Sequence, residues 1–263
     1  MPTPLEILLD PVSLVVIAIY AAFIAWEAVA PARRLPDVPR WRLVGLASFG
    51  VYFYLSSYLP LLWDGHLTAH QLLDLSALGN VGGTVVAVLL YELGVYVWHR
   101  AIHASTPLWR GFHQMHHAAE RLDTWGTFFF SPLDMIGWTL LGSLVLSLGI
   151  GVTPAAATAT LLITTLLSVF QHTNVRTPRW LGYLVQRPES HSVHHERGAH
   201  AKNYSDLPIF DLLFGTFENP THFVDETGFY DGASSRVLDM LLAKDVSEPA
   251  VDEIAADEAL DVR

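Results

Sequence analysis

Histidine is the residue type in this sequence whose spacing can support chemistry, and it occurs in three clusters. The first, HRAIH, places His99 and His103 four residues apart. The other two, HQMHH and HSVHH, each place three histidines at positions i, i+3 and i+4, which lie on one side of a helix. Imidazole titrates near neutral pH and is a common metal ligand, so the clusters predict a metal site. The second and third clusters consist of His113, His116, His117, His191, His194 and His195.

The number of histidines indicates how many ions the site holds. Eight clustered imidazoles, or nine with His172 from the sequence QHTN, exceed what one four- to six-coordinate ion can use. Two metal ions are therefore the predicted count. His200 and His222 lack this spacing, and His66 and His70 are predicted on the opposite side of the membrane, so all four are left outside the predicted site.

The identity of the metal is less constrained than the count. Imidazole suits zinc, iron, copper and nickel alike. A structural zinc site normally needs only four ligands, whereas a histidine-rich pair of irons keeps open positions at which oxygen can bind. We expect two iron ions, with zinc as the alternative in the protein as purified.

Five apolar stretches must position these clusters. A helix needs about 20 mainly apolar residues to cross a hydrocarbon core of about 30 Å. The third stretch leads directly into HRAIH, and only three residues join the fourth to the fifth, which predicts a tight helical hairpin. The sequence thus predicts an all-α integral membrane bundle of about five spans with a cytoplasmic cap of histidine clusters. The stretches are 11–30, 43–62, 81–98, 133–150 and 154–171.

The composition supports a membrane protein and excludes several other classes. Hydrophobic residues make up 51% of the 263 residues and charged residues only 16%, against roughly a quarter in soluble chains. A soluble bundle with buried apolar helices is the alternative. There is no cysteine, which excludes disulfides, a cysteine-ligated iron–sulfur cluster and a catalytic thiol. No basic face with interleaved aromatics indicates nucleic-acid binding.

The basic residues predict the orientation in the membrane. Four arginines lie between the first two stretches, at 33, 34, 40 and 42, whereas 1–10, 63–80 and 151–153 contain no Lys or Arg. The positive-inside rule then places the N-terminus outside and the histidine clusters and C-terminus in the cytoplasm. All fifteen Lys and Arg fall on that side. A cleavable signal peptide is disfavoured because no basic residue precedes Arg33.

The sequences around the clusters resemble a known family. YELGVYVWHRAIH, LWRGFHQMHHAAERLD and PESHSVHH, followed by NYSDLPIFDLLFGTF, are similar to the fatty acid hydroxylase and sterol desaturase superfamily of membrane di-iron enzymes. The resemblance covers roughly residues 81–220. It implies that the eight clustered histidines ligate iron, and that His172 matches an additional family histidine between the second and third clusters. It also implies oxygen-dependent hydroxylation or desaturation of an unactivated lipid C–H bond.

Glu92 is the ionisable residue well inside a predicted span. It precedes His99 by seven residues, which places it within about 20° of the same helix face and about 10 Å deeper in the membrane. Such a group is a functional candidate, so we expect Glu92 behind the metal ligands or beside a substrate cavity. The alternative is a carboxylate bonded to a neighbouring helix.

Possible acceptors for the imidazole N–H groups are Asp123, Asn203, Asp206 and Asp211.

The sequence divides into three predicted parts. Residues 1–80 form N-terminal membrane spans, 81–225 a catalytic domain like that of fatty acid hydroxylases, and 226–263 an acidic, partly disordered tail. From Asp245 to Arg263 there are seven acids and one base, with little to bury.

The predicted function is that of a membrane di-iron oxygenase, which uses O2 to hydroxylate or desaturate a C–H bond of a lipid drawn from the bilayer. A sterol, a fatty acyl chain, an alkyl ether lipid and a carotenoid remain open as substrates. No flavin or dinucleotide fingerprint and no haem module occurs, so a ferredoxin or cytochrome b5-like donor with its reductase must supply electrons.

Two other functions remain open. A zinc membrane hydrolase with histidine ligands would need no electron donor and would hold zinc when purified. A metal transporter would place its ligands near the bilayer midplane, whereas these clusters follow the spans.

Overall fold

The computed structural model describes residues 1–249, and within that range the chain is helical. Its β-type pairing there is an isolated bridge between Glu196 and Thr227. The predicted all-α fold is confirmed. The α-helices are α1 (Pro4–Leu9), α2 (Pro11–Val29), α3 (Trp41–Ala69), α4 (Gly79–Ala104), α5 (Thr106–Leu108), α6 (Gln114–His117), α7 (Pro132–Ser143), α8 (Pro154–Gln171), α9 (Pro188–His194), α10 (Pro208–Phe214) and α11 (Val237–Leu241). Short 3-10 turns cover Ser76–Leu78, Thr124–Gly126, Arg179–Tyr183 and Ala233–Ser235, and π-helical turns cover Trp109–His113 and Leu144–Ile150.

Five helical segments are long and apolar enough to cross a membrane, which confirms the predicted number. Many of their apolar side chains face outward: Leu43 is 66% exposed, Val81 82% and Val85 56%. A helix whose apolar side chains face away from the protein needs an apolar solvent around it, and a bilayer provides one. The segments are Pro11–Val29, Trp41–Ala69, Ser76–Ala104, Pro132–Ile150 and Pro154–Gln171.

The spanning helices pack side by side as a bundle. Helix α4 packs against α8, α3 against α7, and α2 against α8. The predicted hairpin between the last two spans is present. Gly151 ends the fourth span with a φ of +49°, which favours glycine, and the Thr153 hydroxyl accepts a hydrogen bond from the N–H of Ala156 to cap α8.

The segments 105–131 and 172–249 form a cap at one end of the bundle, where α4 and α8 end and α3 begins. Buried polar contacts hold the cap to the spans. In α2, Glu27 Oε2 accepts hydrogen bonds from the Thr124 N–H at 2.9 Å and the Asn174 N–H at 3.1 Å. At the start of α3, the Trp41 indole N–H donates to Asp123 Oδ1 at 2.8 Å.

Part of the predicted C-terminal tail packs onto this cap. Phe229, Met240 and Val246 are buried in one apolar cluster with Trp41 and Met115. The tail therefore contributes core residues at least as far as Val246. Residues 250–263, which carry half of its acids, lie outside the described range, and the division at 80 and 225 stays a prediction.

Candidate metal centre

The nine predicted histidines lie together at the junction between the bundle and the cap. Within each of two groups, one ring nitrogen per histidine lies within 4.8 Å of the others. Eight of the nine side chains are buried and His103 is half-buried. The first group holds His99, His103, His113, His117 and His194, and the second holds His116, His172, His191 and His195.

Each HxxHH cluster divides its histidines between the two groups. In the second cluster His113 and His117 join the first group and His116 the second; in the third cluster the division is reversed. On a helix, positions i and i+4 differ by about 40°, whereas i+3 and i+4 differ by about 100°, so one cluster faces two centres. The two groups adjoin, because the rings of His117 and His195 stack at 4.2 Å.

Local backbone structure presents these side chains. His99 and His103 lie in the last two turns of α4, and His172 follows the last residue of α8. The second cluster begins in the π-helical turn Trp109–His113 and continues into α6. Such turns occur often at functional sites because the extra residue re-aims the side chains that follow.

The outer nitrogens of the five-histidine group are held by acceptors. The Nδ1 atoms of His99, His103 and His194 donate to the carbonyls of Tyr204, His200 and Lys202 at 2.7, 2.9 and 2.7 Å. His113 Nδ1 lies 2.7 Å from Asp134 Oδ2. Since a neutral imidazole has a single N–H, these bonds fix the tautomer and leave the Nε2 lone pairs facing inward.

The inward contacts fit a cation. His99 Nε2 and His113 Nε2 lie 2.9 Å apart, although both N–H groups are already used at Nδ1. Two lone pairs at that distance repel unless a positive charge lies between them. Ligand nitrogens at about 2.0–2.1 Å from one ion and at right angles are about 3 Å apart, as here.

The four-histidine group has the same character. Its Nε2 atoms form a chain in which His172 lies 3.0 Å from both His116 and His191, and His191 lies 3.2 Å from His195. The Nδ1 of His172 donates to the Ser168 carbonyl at 2.6 Å, so its Nε2 also presents a lone pair. Both groups can therefore bind metal.

Burial keeps the imidazoles in the ligating state. It lowers the pKa of His172 to about 4, and lowers the pKa of His116, His117 and His194 well below the usual value. Desolvation disfavours the charged ring, and neighbouring histidines add repulsion. Neutral imidazole is the form that binds metal.

The structure adds two residues that the sequence had not indicated as part of the site. Asp134 is fully buried against His113, but in the sequence SPLD it resembles an ordinary acid in the first turn of a helix. His200, excluded for lack of spacing, lies with its Nδ1 3.1 Å from His117 Nδ1, and its carbonyl accepts from His103. The carbonyls that accept from the imidazoles belong to residues 200, 202 and 204 of a loop. Because a backbone carbonyl is present in every residue, the sequence cannot show which ones bind the histidines.

Glu92 contacts that loop. Its Oε2 accepts hydrogen bonds from the N–H groups of Asp206 and Leu207 at 2.9 and 3.2 Å. These bonds anchor residues next to Tyr204, whose carbonyl accepts from His99. The contact is with backbone of a neighbouring loop, and its role in the site stays a prediction.

The four other residues that were predicted to accept imidazole N–H groups each bond to a group other than the nine imidazoles. Asp211 accepts from the N–H groups of Tyr204 and Ser205, and the Asn203 amide donates to the carbonyls of Ser190 and Glu218. Asp206 accepts from the Gln171 amide. Asp123 binds the Trp41 indole. The first three therefore shape the loop that holds the histidines.

A cavity of about 360 Å³ opens onto both groups from within the bundle. Its volume lies within the range of small-molecule sites, about 300–1,000 Å³. Much of its wall is apolar and aromatic. Near the metal centre the wall includes Val95, Phe128, Phe130 and Trp138, together with the histidines His99, His113, His116, His172 and His191.

The comparisons with known proteins agree with this picture. A sequence model of the fatty acid hydroxylase family matches residues 84–216, half of the chain. Three curated relatives are similar to it. Ornithine lipid hydroxylase OlsE of Rhizobium tropici is 33% identical over 52% of this chain and 42% of its own length. Alkylglycerol monooxygenase of Danio rerio is 28% identical over 50% and 30%. Sphingolipid C4-hydroxylase sur2 of Schizosaccharomyces pombe is 26% identical over 51% and 47%.

The chain spans less than half the length of each of these relatives. No solved structure matches it. The matched region holds all nine histidines, Glu92 and Asp134, so the similarity covers the candidate metal centre.

Proposed function

The chain belongs to the fatty acid hydroxylase family, and we propose that it is a multi-pass membrane oxygenase that hydroxylates or desaturates a C–H bond of a lipid. The observation that carries the proposal is the cavity, because it is enclosed by the spanning helices and ends at histidines of both groups. The alkyl part of a lipid from the bilayer fits its apolar and aromatic wall and would lie beside both candidate metal sites. The names of the three relatives also indicate a lipid substrate.

The ligands of the proposed metal pair are the nine grouped histidines, five around one ion and four around the other. Iron is the proposed metal, with zinc as the alternative in purified protein. When bound, such a pair supplies activation of O2 and removal of hydrogen from an unactivated C–H bond. The electrons come from an external ferredoxin or cytochrome b5-like donor and its reductase.

The chain's own residues position the lipid and exclude water. Phe130 packs against His116 with ring centroids 4.6 Å apart, and Trp138 packs against His99 at 5.6 Å. These rings form the cavity wall next to each histidine group, so they hold an alkyl segment beside the metal centre. Asp134 and the carbonyls of the 200–204 loop keep the imidazole N–H groups turned outward.

Neither alternative function is favoured. A zinc hydrolase has no support from the relatives, whose names are those of hydroxylases and a monooxygenase. A metal transporter would place its ligands near the middle of the membrane, whereas the histidines lie at helix ends and in the cap.

Metal analysis of two single variants tests the proposal. His194→Ala removes a donor from the five-histidine group and His116→Ala removes one from the four-histidine group. We expect wild-type protein purified without oxygen to hold two irons per chain, and each variant to lose about one. Lipid profiling of cells that make each variant should show loss of the oxidised lipid.

His66→Ala is the matched control, since His66 is exposed at the opposite end of the bundle. It should keep both ions and full turnover. Two ions with unchanged lipid oxidation in His116→Ala and His194→Ala would refute the assignment.

A further inference from the structure

We propose that the end of the cavity remote from the histidines binds a positively charged, hydrogen-bond-donating group of the lipid, with Asp64 as its partner. The inference rests on the proposed function, because it sets the orientation of the lipid and therefore which carbon meets the metal centre.

Asp64 is the residue that points to this orientation. It lies on α3, 23 residues after Trp41 at the cap, which is about 34 Å along the helix. It lines the cavity, and its Oδ1 is buried without a hydrogen-bond partner among residues 1–249. An unpaired carboxylate oxygen in a membrane protein costs free energy, so a ligand that donates to it would bind favourably.

The cavity wall formed by α3 between Asp64 and the cap also offers acceptors. Ser57 precedes Asp64 by seven residues, about 10 Å along the helix, and lies on the same face. The hydroxyls of Ser56 and Ser57 both donate to the Phe53 carbonyl, at 3.1 and 2.7 Å, so their oxygens still have lone pairs for a ligand. Pro60 has no N–H, which frees the Ser56 carbonyl from its helical bond. This wall therefore suits a donor.

The distribution of charge along the cavity favours the same orientation. No Lys or Arg occurs among the described residues of its wall, and its two carboxylates are Asp64 and Asp206. Asp206 lies near the histidines and already accepts from the Gln171 amide. With cations at the histidine end, a positively charged headgroup is repelled there and attracted to Asp64. The headgroup thus lies at Asp64 and the chain extends toward the metals.

The length of the cavity sets the class of lipid. Helix α8 and the residue that follows it line the cavity from Ala157 to His172, fifteen residues or about 22 Å. An extended chain advances roughly 1.2 Å per bond, by the dimensions of the polypeptide backbone, so about 18 bonds fill this length. The inferred substrate is a lipid with an ammonium or similar donor and a chain of that order, oxidised in the half of the chain remote from that group.

Binding of three chains that differ only in their headgroup tests the inference. Octadecylamine, octadecanol and octadecanoate would be added at equal mole fraction to protein in discs of zwitterionic lipid, and affinity read from the rise in unfolding temperature. We expect the amine to bind at least tenfold more tightly than the carboxylate. Asp64→Asn should abolish that preference and Asp64→Glu should retain it.

Asp74→Asn is the matched control, because Asp74 follows α3 at the same end, is exposed, and caps the Ser76 N–H outside the cavity. It should behave as wild type. Equal binding of the three chains, or a preference that survives in Asp64→Asn, would overturn the inference. If Asp64→Asn fails to fold, the inference would still be overturned by a wild-type protein or an Asp64→Glu variant that shows no preference for the amine.

The inference and the proposed function fail separately. Oxidised lipid in cells without any headgroup preference refutes only the role of Asp64. A headgroup preference without metal or lipid oxidation refutes only the oxygenase. Oxidation of octadecylamine next to its nitrogen would overturn the proposed orientation.

Discussion

At the scale of single residues, a single substitution can test the hydrogen bond between Asp134 and His113. Both side chains are buried, and the carboxylate accepts the imidazole N–H at 2.7 Å. The carboxylate fixes the tautomer and makes Nε2 a stronger donor to a cation. His99, His103 and His194 donate their Nδ1–H groups to neutral backbone carbonyls. His113 differs from them because its Nδ1–H donates to a charged carboxylate.

Asp134→Asn removes that charge and keeps the size of the side chain. We expect metal affinity of the five-histidine group to fall by about 10–100-fold, the usual effect of losing an outer partner. The four-histidine group should keep its ion, so a chelator titration should resolve two steps in the variant. Asp245→Asn, which alters a surface ion pair with Arg110, is the control and should leave both affinities unchanged. Equal retention of both ions by Asp134→Asn would contradict the prediction.

At the scale of elements, the 200–207 loop positions the first metal group. It presents three backbone carbonyls to three imidazoles. Asp211 binds the N–H groups at 204 and 205 from one side, and Glu92 binds those at 206 and 207 from α4. The loop thereby joins α4, which carries Glu92, His99 and His103, to His194 at the end of α9.

Substitution of Glu92 tests this connection. Glu92→Gln keeps an oxygen that accepts both N–H groups, so we expect normal insertion and metal content within about twofold of wild type. Glu92→Leu leaves two buried N–H groups without partners, each at a cost of about 1–3 kcal/mol. It should unfold at a lower temperature and lose metal first from the five-histidine group. A tenfold loss of affinity in Glu92→Gln with unchanged stability would show instead that the charge itself supports the metals.

At the scale of the whole molecule, the orientation of the bundle decides which side of the membrane holds the cap. The arginine distribution predicts the cytoplasmic side. Since the chain has no cysteine, single cysteines can report the orientation without further changes. His70 is exposed at one end of the bundle and the Asp231 side chain is 90% exposed on the cap.

Labelling of His70→Cys and Asp231→Cys with a membrane-impermeant maleimide tests this orientation. In intact cells only the first should react, and both should react after the membrane is permeabilised. Position 120, which the sequence equally places on the cap side, is unsuitable because Glu120 is buried and accepts the Ser234 N–H. Reaction of Asp231→Cys alone in intact cells would invert the orientation and place the metal centre outside.

The amino-acid sequence by itself determined the five spans, the all-α fold and the eight clustered histidines, because hydrophobic length and helical spacing are local properties. His172 was added through the resemblance to a known family. The sequence could not determine how those histidines divide. His116 and His117 are adjacent in the chain yet belong to different groups, since their 100° separation gains meaning only when helices from elsewhere supply the facing ligands. The same holds for Asp134, the carbonyls of the 200–204 loop and the cavity that ends at Asp64. Each depends on contacts between residues far apart in sequence, and those contacts exist only in the packed bundle.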